Sequence, residues 1–224
     1  MKKLLVLAVC VVFVLTSMTA LAASKNGVIT SANGRQTIAP RAKNFTPYVE
    51  KDSGLSVIAS NVATKYPLGM YWCCTGGTIS GPLSIIGTEY WEAAGFTPAA
   101  NATVKKVGVA VGYVTGATTD VVLTLNADAG GVPGKVLAKW KVSGMPNFGS
   151  CCTLDTKKSS GGVSVTAGTL YWLAVTTESN SDIWAAFNLN DSDQVDPGPT
   201  AYAQNGAWTG YQGIPAFSFE VLGN

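Results

Sequence analysis

Hydrophobic and polar positions alternate along most of this chain, and the alternation has a period of two. Val107, Val109, Val111 and Tyr113 stand against Lys106, Gly108, Ala110 and Gly112, which gives one large apolar face. Val121, Leu123 and Leu125 repeat the pattern. Val136, Ala138, Trp140 and Val142 do so again, against Lys135, Leu137, Lys139 and Lys141. Three lysines on one side of that segment predict a face in water and a guarded sheet edge. Residues 169–177 are apolar on both faces, as in a central strand. Shorter candidates are residues 55–59, 91–97, 153–156, 183–189, 200–203 and 216–222. Between residues 125 and 135, Ala127-Asp128-Ala129-Gly130-Gly131-Val132-Pro133-Gly134 has the composition of a turn.

No stretch shows convincing helical periodicity. About nine short strands separated by turn signals predict an all-β fold. Its expected form is an antiparallel two-sheet β-sandwich of jelly-roll type. Residues 23–65 are polar and poorly periodic, with breakers at Asn33-Gly34, Ala39-Pro40 and Thr46-Pro47. They are expected to form an N-terminal arm or linker, and residues 66–224 the sandwich domain.

The first 22 residues follow a different rule. Lys2 and Lys3 precede an unbroken apolar run over residues 4–15, and Ala20-Leu21-Ala22 forms a small-x-small site. This is the layout of a secretory signal peptide. The run is too short to span a bilayer, which needs about 20 residues. The mature chain is therefore expected outside the cell, without membrane insertion after cleavage. The short Lys-Lys leader points to a bacterial source.

Export changes how the cysteines read. Cys73, Cys74, Cys151 and Cys152 form two adjacent pairs, an even number in an oxidising compartment. Zinc is disfavoured, because CC pairs lack the usual C-x₂₋₄-C ligand spacing. Three disulfide connectivities are open, and we favour cross-linking between the two pairs over two vicinal bridges. Without Lys2 and Lys3, 13 basic residues face 13 acidic ones. A neutral chain lacking a basic cluster is a poor nucleic-acid binder, since that binding depends on neutralising phosphates.

Several of these segments resemble the exported bacterial domains called choice-of-anchor R. Phe96-Thr97-Pro98 leads into the strand at residues 107–113, and the Asp128–Gly134 turn follows. Phe148-Gly149-Ser150-Cys151-Cys152-Thr153-Leu154, Ala167-Gly168-Thr169-Leu170-Tyr171-Trp172-Leu173 and Asp182-Ile183-Trp184-Ala185-Ala186-Phe187-Asn188 complete the resemblance, which covers about 160 residues. It implies a surface or secreted β-sandwich module and carries no catalytic residues across. The chain ends in Phe217-Ser218-Phe219-Glu220-Val221-Leu222-Gly223-Asn224, without a sorting motif or hydrophobic tail. Release is accordingly expected over anchoring.

Candidate chemistry is sparse. The sequence has no histidine, which excludes Ser-His-Asp and Cys-His pairs, His-ligated metal sites and His general acid–base work. Glu89 and Glu92 form the kind of carboxylate pair a glycosidase needs, and they flank Tyr90 and Trp91, an aromatic setting that could stack a sugar. At a spacing of three they point to opposite faces of a regular strand. Asp191, Asp193 and Asp196 lie in an oxygen-rich loop that suits Ca²⁺, though without the Gly and terminal Glu of an EF-hand. No other cofactor is implied.

Six tryptophans are a surplus for this length. Trp140 and Trp172 lie on strand patterns and are expected in the core. Trp72, Trp184 and Trp208 lie near Gly, Asn or Cys clusters, and exposed aromatics there would stack sugar faces. Asn188, Asn190, Tyr202, Asn205 and Tyr211 are candidates to read hydroxyls beside them. The expected function is a secreted, non-enzymatic binding module for extracellular polysaccharide or a cell-surface component. The alternatives are a structural matrix or envelope protein, and a carbohydrate-active hydrolase built on Glu89 and Glu92.

Overall fold

In a computed structural model, alternation becomes strand almost everywhere it occurs, and among the described residues there is no helix. The structure describes residues 26–30, 36–40, 54–62, 75–150, 154–189, 199–211 and 217–224, the first two segments as backbone alone. The strands in chain order are β1 Asn26–Thr30, β2 Gln36–Pro40, β3 Ser56–Ser60, β4 Thr75–Ser80 and β5 Tyr90–Phe96. They continue as β6 Ala102–Val109, β7 Val111–Thr115, β8 Asp120–Asp128, β9 Pro133–Ser143 and β10 Asp155–Val165. The last are β11 Tyr171–Thr176, β12 Trp184–Asn188, β13 Thr200–Gln204, β14 Ala207–Tyr211 and β15 Phe219–Gly223.

Hydrogen bonds group them into one sheet of eleven strands and one of four. The larger sheet runs β2-β1-β4-β5-β11-β8-β9, with β12, β7, β13 and β14 branching from β4 and β5. The smaller runs β10-β6-β15-β3. Pairing between strands is antiparallel except for β1 against β4. As the alternation implied, β11 is central, between β5 and β8, and the lysine-rich β9 pairs with β8 alone.

The apolar run at residues 107–113 is two strands. β6 belongs to the smaller sheet and β7 to the larger one, with Ala110 between them. Ala110 N–H donates to the Ser218 carbonyl at 3.0 Å, and the Ala110 carbonyl accepts from Asn188 N–H at 2.8 Å. One residue thus ties both sheets while the apolar face stays inward. Val104, Val107, Val109, Phe219 and Val221 from the smaller sheet share a core with Ile79, Phe96, Leu123, Leu125, Leu173 and Phe187 from the larger. Burying each such side chain contributes about 1.5–3 kcal/mol over leaving it in water.

The segment expected as an arm also contributes strands. β1 and β2 pair with each other, β1 pairs with β4, and β3 pairs with β15.

Candidate functional site

β5 positions the most distinctive surface of the molecule. Its residues alternate between two environments. Ala94 and Phe96 enter the shared core, whereas Ala93 packs on the far face with Trp172, Ala174 and Ala201. Alanines from three adjacent strands make a low floor there. Trp172 lies fully buried at one end, because its indole Nε1 donates to Asp128 Oδ1 at 2.8 Å. The Asp128 carboxylate also accepts from the Gly130 and Gly131 N–H groups at 3.0 Å, fixing the β8–β9 turn. Those bonds hold its pKa below the ordinary value against the opposing effect of burial.

The β13–β14 hairpin closes over this floor. Gln204-Asn205-Gly206-Ala207 makes its turn, with Asn205 at φ 51° and Gly206 at φ 79°, as a two-residue Asn-Gly hairpin requires. The register places Trp91 opposite Ala203, and Ala203 opposite Trp208. Trp91 and Trp208 therefore meet on the far face, with ring centroids 6.0 Å apart and planes at 47°. Both rings are partly exposed. Gly206 leaves the Trp91 edge uncovered, since a Cβ there would stand 3.9 Å from Cη2.

Polar groups fix the Trp91 ring. Its Nε1 donates to Thr177 Oγ1 at 3.2 Å, and the Glu89 carboxylate lies beside the Thr177 hydroxyl. Burial raises the Glu89 pKa, and the Thr177 bond pulls it back down. The Glu89 carbonyl accepts from Asn205 N–H at 3.1 Å, which ties the hairpin tip to the start of β5. A tilted pair of part-exposed indoles with a carboxylate beside it can stack on the C–H face of a ring and bond its substituents.

The other sequence candidates separate. Tyr202 and Tyr211 are on the same hairpin but on its opposite face, 6.0 Å apart and edge to face at 68°. Tyr211 is exposed and Tyr202 is partly buried. Trp184 is buried with Phe148 and Ala186, and Asn188 is buried on the same strand. All five residues of β12 are buried, so its side chains are covered on both faces of the sheet. Neither residue offers a ring face or amide to a surface ligand, and both leave the candidate set. Trp172 is in a core, as expected, and Trp140 is half-buried with Nε1 donating to the Lys158 carbonyl at 3.1 Å. Trp72, Asn190, the cysteines 73, 74, 151 and 152, and Asp191, Asp193 and Asp196 lie outside the described residues. Among the described residues no group of three or more His, Cys, Asp or Glu could hold a metal ion.

Glu89 and Glu92 do not face each other. Glu89 joins the Trp91 side through Thr177, whereas Glu92 points into the interior. A Cβ at Gly77 would stand 2.7 Å from the Glu92 carboxyl and 2.6 Å from the Phe217 ring. Burial pushes the Glu92 pKa well above the usual carboxylate value. The two carboxyls therefore have no common cleft in which to flank a glycosidic bond.

Thr177 is the residue that sequence reasoning missed, since it sits at the end of an apolar strand candidate and reads as core or turn. The sequence marks Trp91 beside Glu89 and Glu92 as a ring that could stack a sugar, but not as the partner of Trp208. A signal was present in Asn205-Gly206, whose two-residue hairpin would have placed Trp208 in register with β13 and then with β5. In comparisons with known proteins, the chain matches no family model and no curated protein.

Proposed function

We propose that this protein is an exported, non-enzymatic binding module for extracellular polysaccharide, with the Trp91–Trp208 face as its sugar platform. The observation that carries the reading is the pairing of these two part-exposed indoles, one of them oriented by Thr177. Indoles are large apolar surfaces that normally bury. A pair held at the surface, with its orientation locked, has already lost the conformational freedom that binding would otherwise cost.

The signal-peptide layout and the neutral mature chain support an extracellular setting. The resemblance to choice-of-anchor R domains supports the same class of module. We take the two sheets as the layers of a jelly-roll-like sandwich. In favour of this are the shared core and the crossing of the chain between sheets at Ala110.

Affinity electrophoresis through gels cast with soluble polysaccharides tests the reading. The parent protein is expected to be retarded by at least one neutral or amino-sugar polymer, and Trp91→Ala and Trp208→Ala to run unretarded while keeping the parent melting temperature. Retardation that survives both substitutions would remove this face from the account.

A second reading, an envelope or matrix component that assembles through its own surface, is favoured by residues 81–87. That loop is free of charge and internally bonded (Ser84 N–H to the Gly81 carbonyl at 3.1 Å, Gly87 N–H to the Ser84 carbonyl at 2.9 Å). It holds Leu83 and Ile85 at 67% and 75% exposure. Sedimentation of the parent and of a Leu83→Ser, Ile85→Ser double variant would show assembly lost in the variant if this reading holds. A parent that stays monomeric at high concentration would end it.

A further inference from the structure

The ionic character of the Trp91–Trp208 face narrows its ligand. Glu89 is the charged residue at its edge: its backbone carbonyl accepts from Asn205 N–H at the hairpin tip, and its carboxylate lies beside the Thr177 hydroxyl that holds the Trp91 indole. The lysines that share this face of the larger sheet stand on β9, with β8 and β11 between them and β5. Both are already paired. Lys139 Nζ lies 3.0 Å from Glu178 Oε1, and Lys141 Nζ lies 2.5 Å from Asp120 Oδ2. None of the described side chains that shape the platform, Trp91, Trp208, Thr177, Glu89 and Asn205, is basic.

A carboxylate beside two π faces is repulsive to an anion and attractive to a cation. An ammonium over an indole gains about 0.5–2 kcal/mol from the ring quadrupole, and a carboxylate within reach adds a charge-assisted hydrogen bond. An acetylated nitrogen keeps a donor but has no charge, and a uronate brings the wrong one.

Resting on the polysaccharide reading, we infer that this site selects glycans bearing free amino groups, with the sugar ring on Trp91 and Trp208 and its ammonium at Glu89. The occupant is thus a de-N-acetylated amino-sugar polymer, and uronate-rich polymers are excluded by the same carboxylate.

Calorimetric titration at pH 6 tests this with three oligomers of equal length: glucosamine, N-acetylglucosamine and galacturonate. The full chain is expected to bind the glucosamine oligomer about ten-fold more tightly than the acetylated one, and the galacturonate oligomer weakest. Glu89→Gln should collapse the ratio between the first two towards one. The parent protein provides an independent check, because the same ratio should shrink as salt rises from low to high ionic strength. Equal affinity for the amino and acetylated oligomers, or a preference unaffected by salt, would overturn the selectivity while leaving the polysaccharide reading in place. Failure of every oligomer to bind would overturn both.

Discussion

Trp91 and Glu92 are neighbours on β5, and each sits where the other's chemistry would normally be found. The apolar ring of Trp91 is partly exposed on the far face. The carboxyl of Glu92 is sealed inside, in register with Val175 of β11 and Tyr202 of β13 and against Gly77 and Phe217. The period-two geometry is intact on both sides of the strand, and only the chemistry is inverted. A buried carboxyl is costly unless it takes up a proton. A large indole in water forgoes about 1.5–3 kcal/mol of burial. Local rules broken in this way cluster at sites under functional constraint, and on the far face the inverted residue is the one facing a potential ligand.

That contrast can be broken from either side, and the largest effect is expected from Trp172. It shares the far face with Trp91, yet it is fully buried and bonded to Asp128. Trp172→Ala should lower the unfolding free energy by about 3–5 kcal/mol in denaturant titration, whereas Trp91→Ala should fall within about 1 kcal/mol of the parent. Equal losses would mean that Trp91 is a core residue after all.

On the inner side, Gly77→Ala should cost about 1–3 kcal/mol, because its methyl would enter the space held by the Phe217 ring and the Glu92 carboxyl. Combining it with Glu92→Ala should recover part of that loss, since the two positions share one volume. Strictly additive losses would deny the contact.

A smaller effect separates the two faces by pH. Glu92 and Asp155 both have folded pKa values raised by burial, Asp155 to about 7 against the pull of Lys157. Protons held in the fold and released on unfolding give stability that is complete below the unfolded carboxyl pKa. It is lost as pH rises through the folded values. The melting temperature should thus decline from about pH 4 towards and beyond neutrality, and Glu92→Gln with Asp155→Asn should flatten that decline. A profile that climbs with pH in the parent would contradict the assignment.

The smallest effect belongs to Asp182. Its carboxylate accepts from the Ala117 and Thr118 N–H groups at 2.8 and 2.7 Å, which draws its pKa down to about 2. The stability it supplies is present above its unfolded pKa and disappears as pH falls towards 2. Asp182→Asn should therefore melt lower than the parent at neutral pH, with the gap closing in acid. A gap that is constant with pH would mean the carboxylate charge is not what holds the 116–119 turn.

What was legible from the sequence is what depends on local periodicity. The strands β8, β9 and β11, the glycine-rich turn after Asp128 and the lysine-guarded edge all follow from side chains alternating against a core. β4 was illegible because its Gly76 and Gly77 leave their side-chain space to neighbours. A Cβ at Gly76 would stand 2.6 Å from the Phe187 carbonyl oxygen, so the strand carries no apolar signature of its own. β10 was seen only at its start, since Lys157, Lys158, Ser159, Ser160, Gly161 and Gly162 look like a loop. Its pairing with β6 is also interrupted between Lys158 and Val163. The switch at Ala110 is invisible because the apolar face continues unbroken across it.

The candidate site was half legible. Trp208 was singled out by its turn-like surroundings, while its partner Trp91 is distant in sequence and is brought beside it by pairing across β13. Trp184 misled for the opposite reason. Asp182 and Asn188 beside it suggest a surface loop, but every residue of β12 is buried and Trp184 packs against Phe148.

Indole N–H resonances in a ¹⁵N–¹H spectrum, followed while an amino-sugar oligomer is added, test the platform most directly. The Trp91 and Trp208 signals should move with saturable titration curves while those of Trp172 and Trp184 stay fixed. Movement confined to other tryptophans, or none across amino, acetylated and neutral oligomers, would contradict the account.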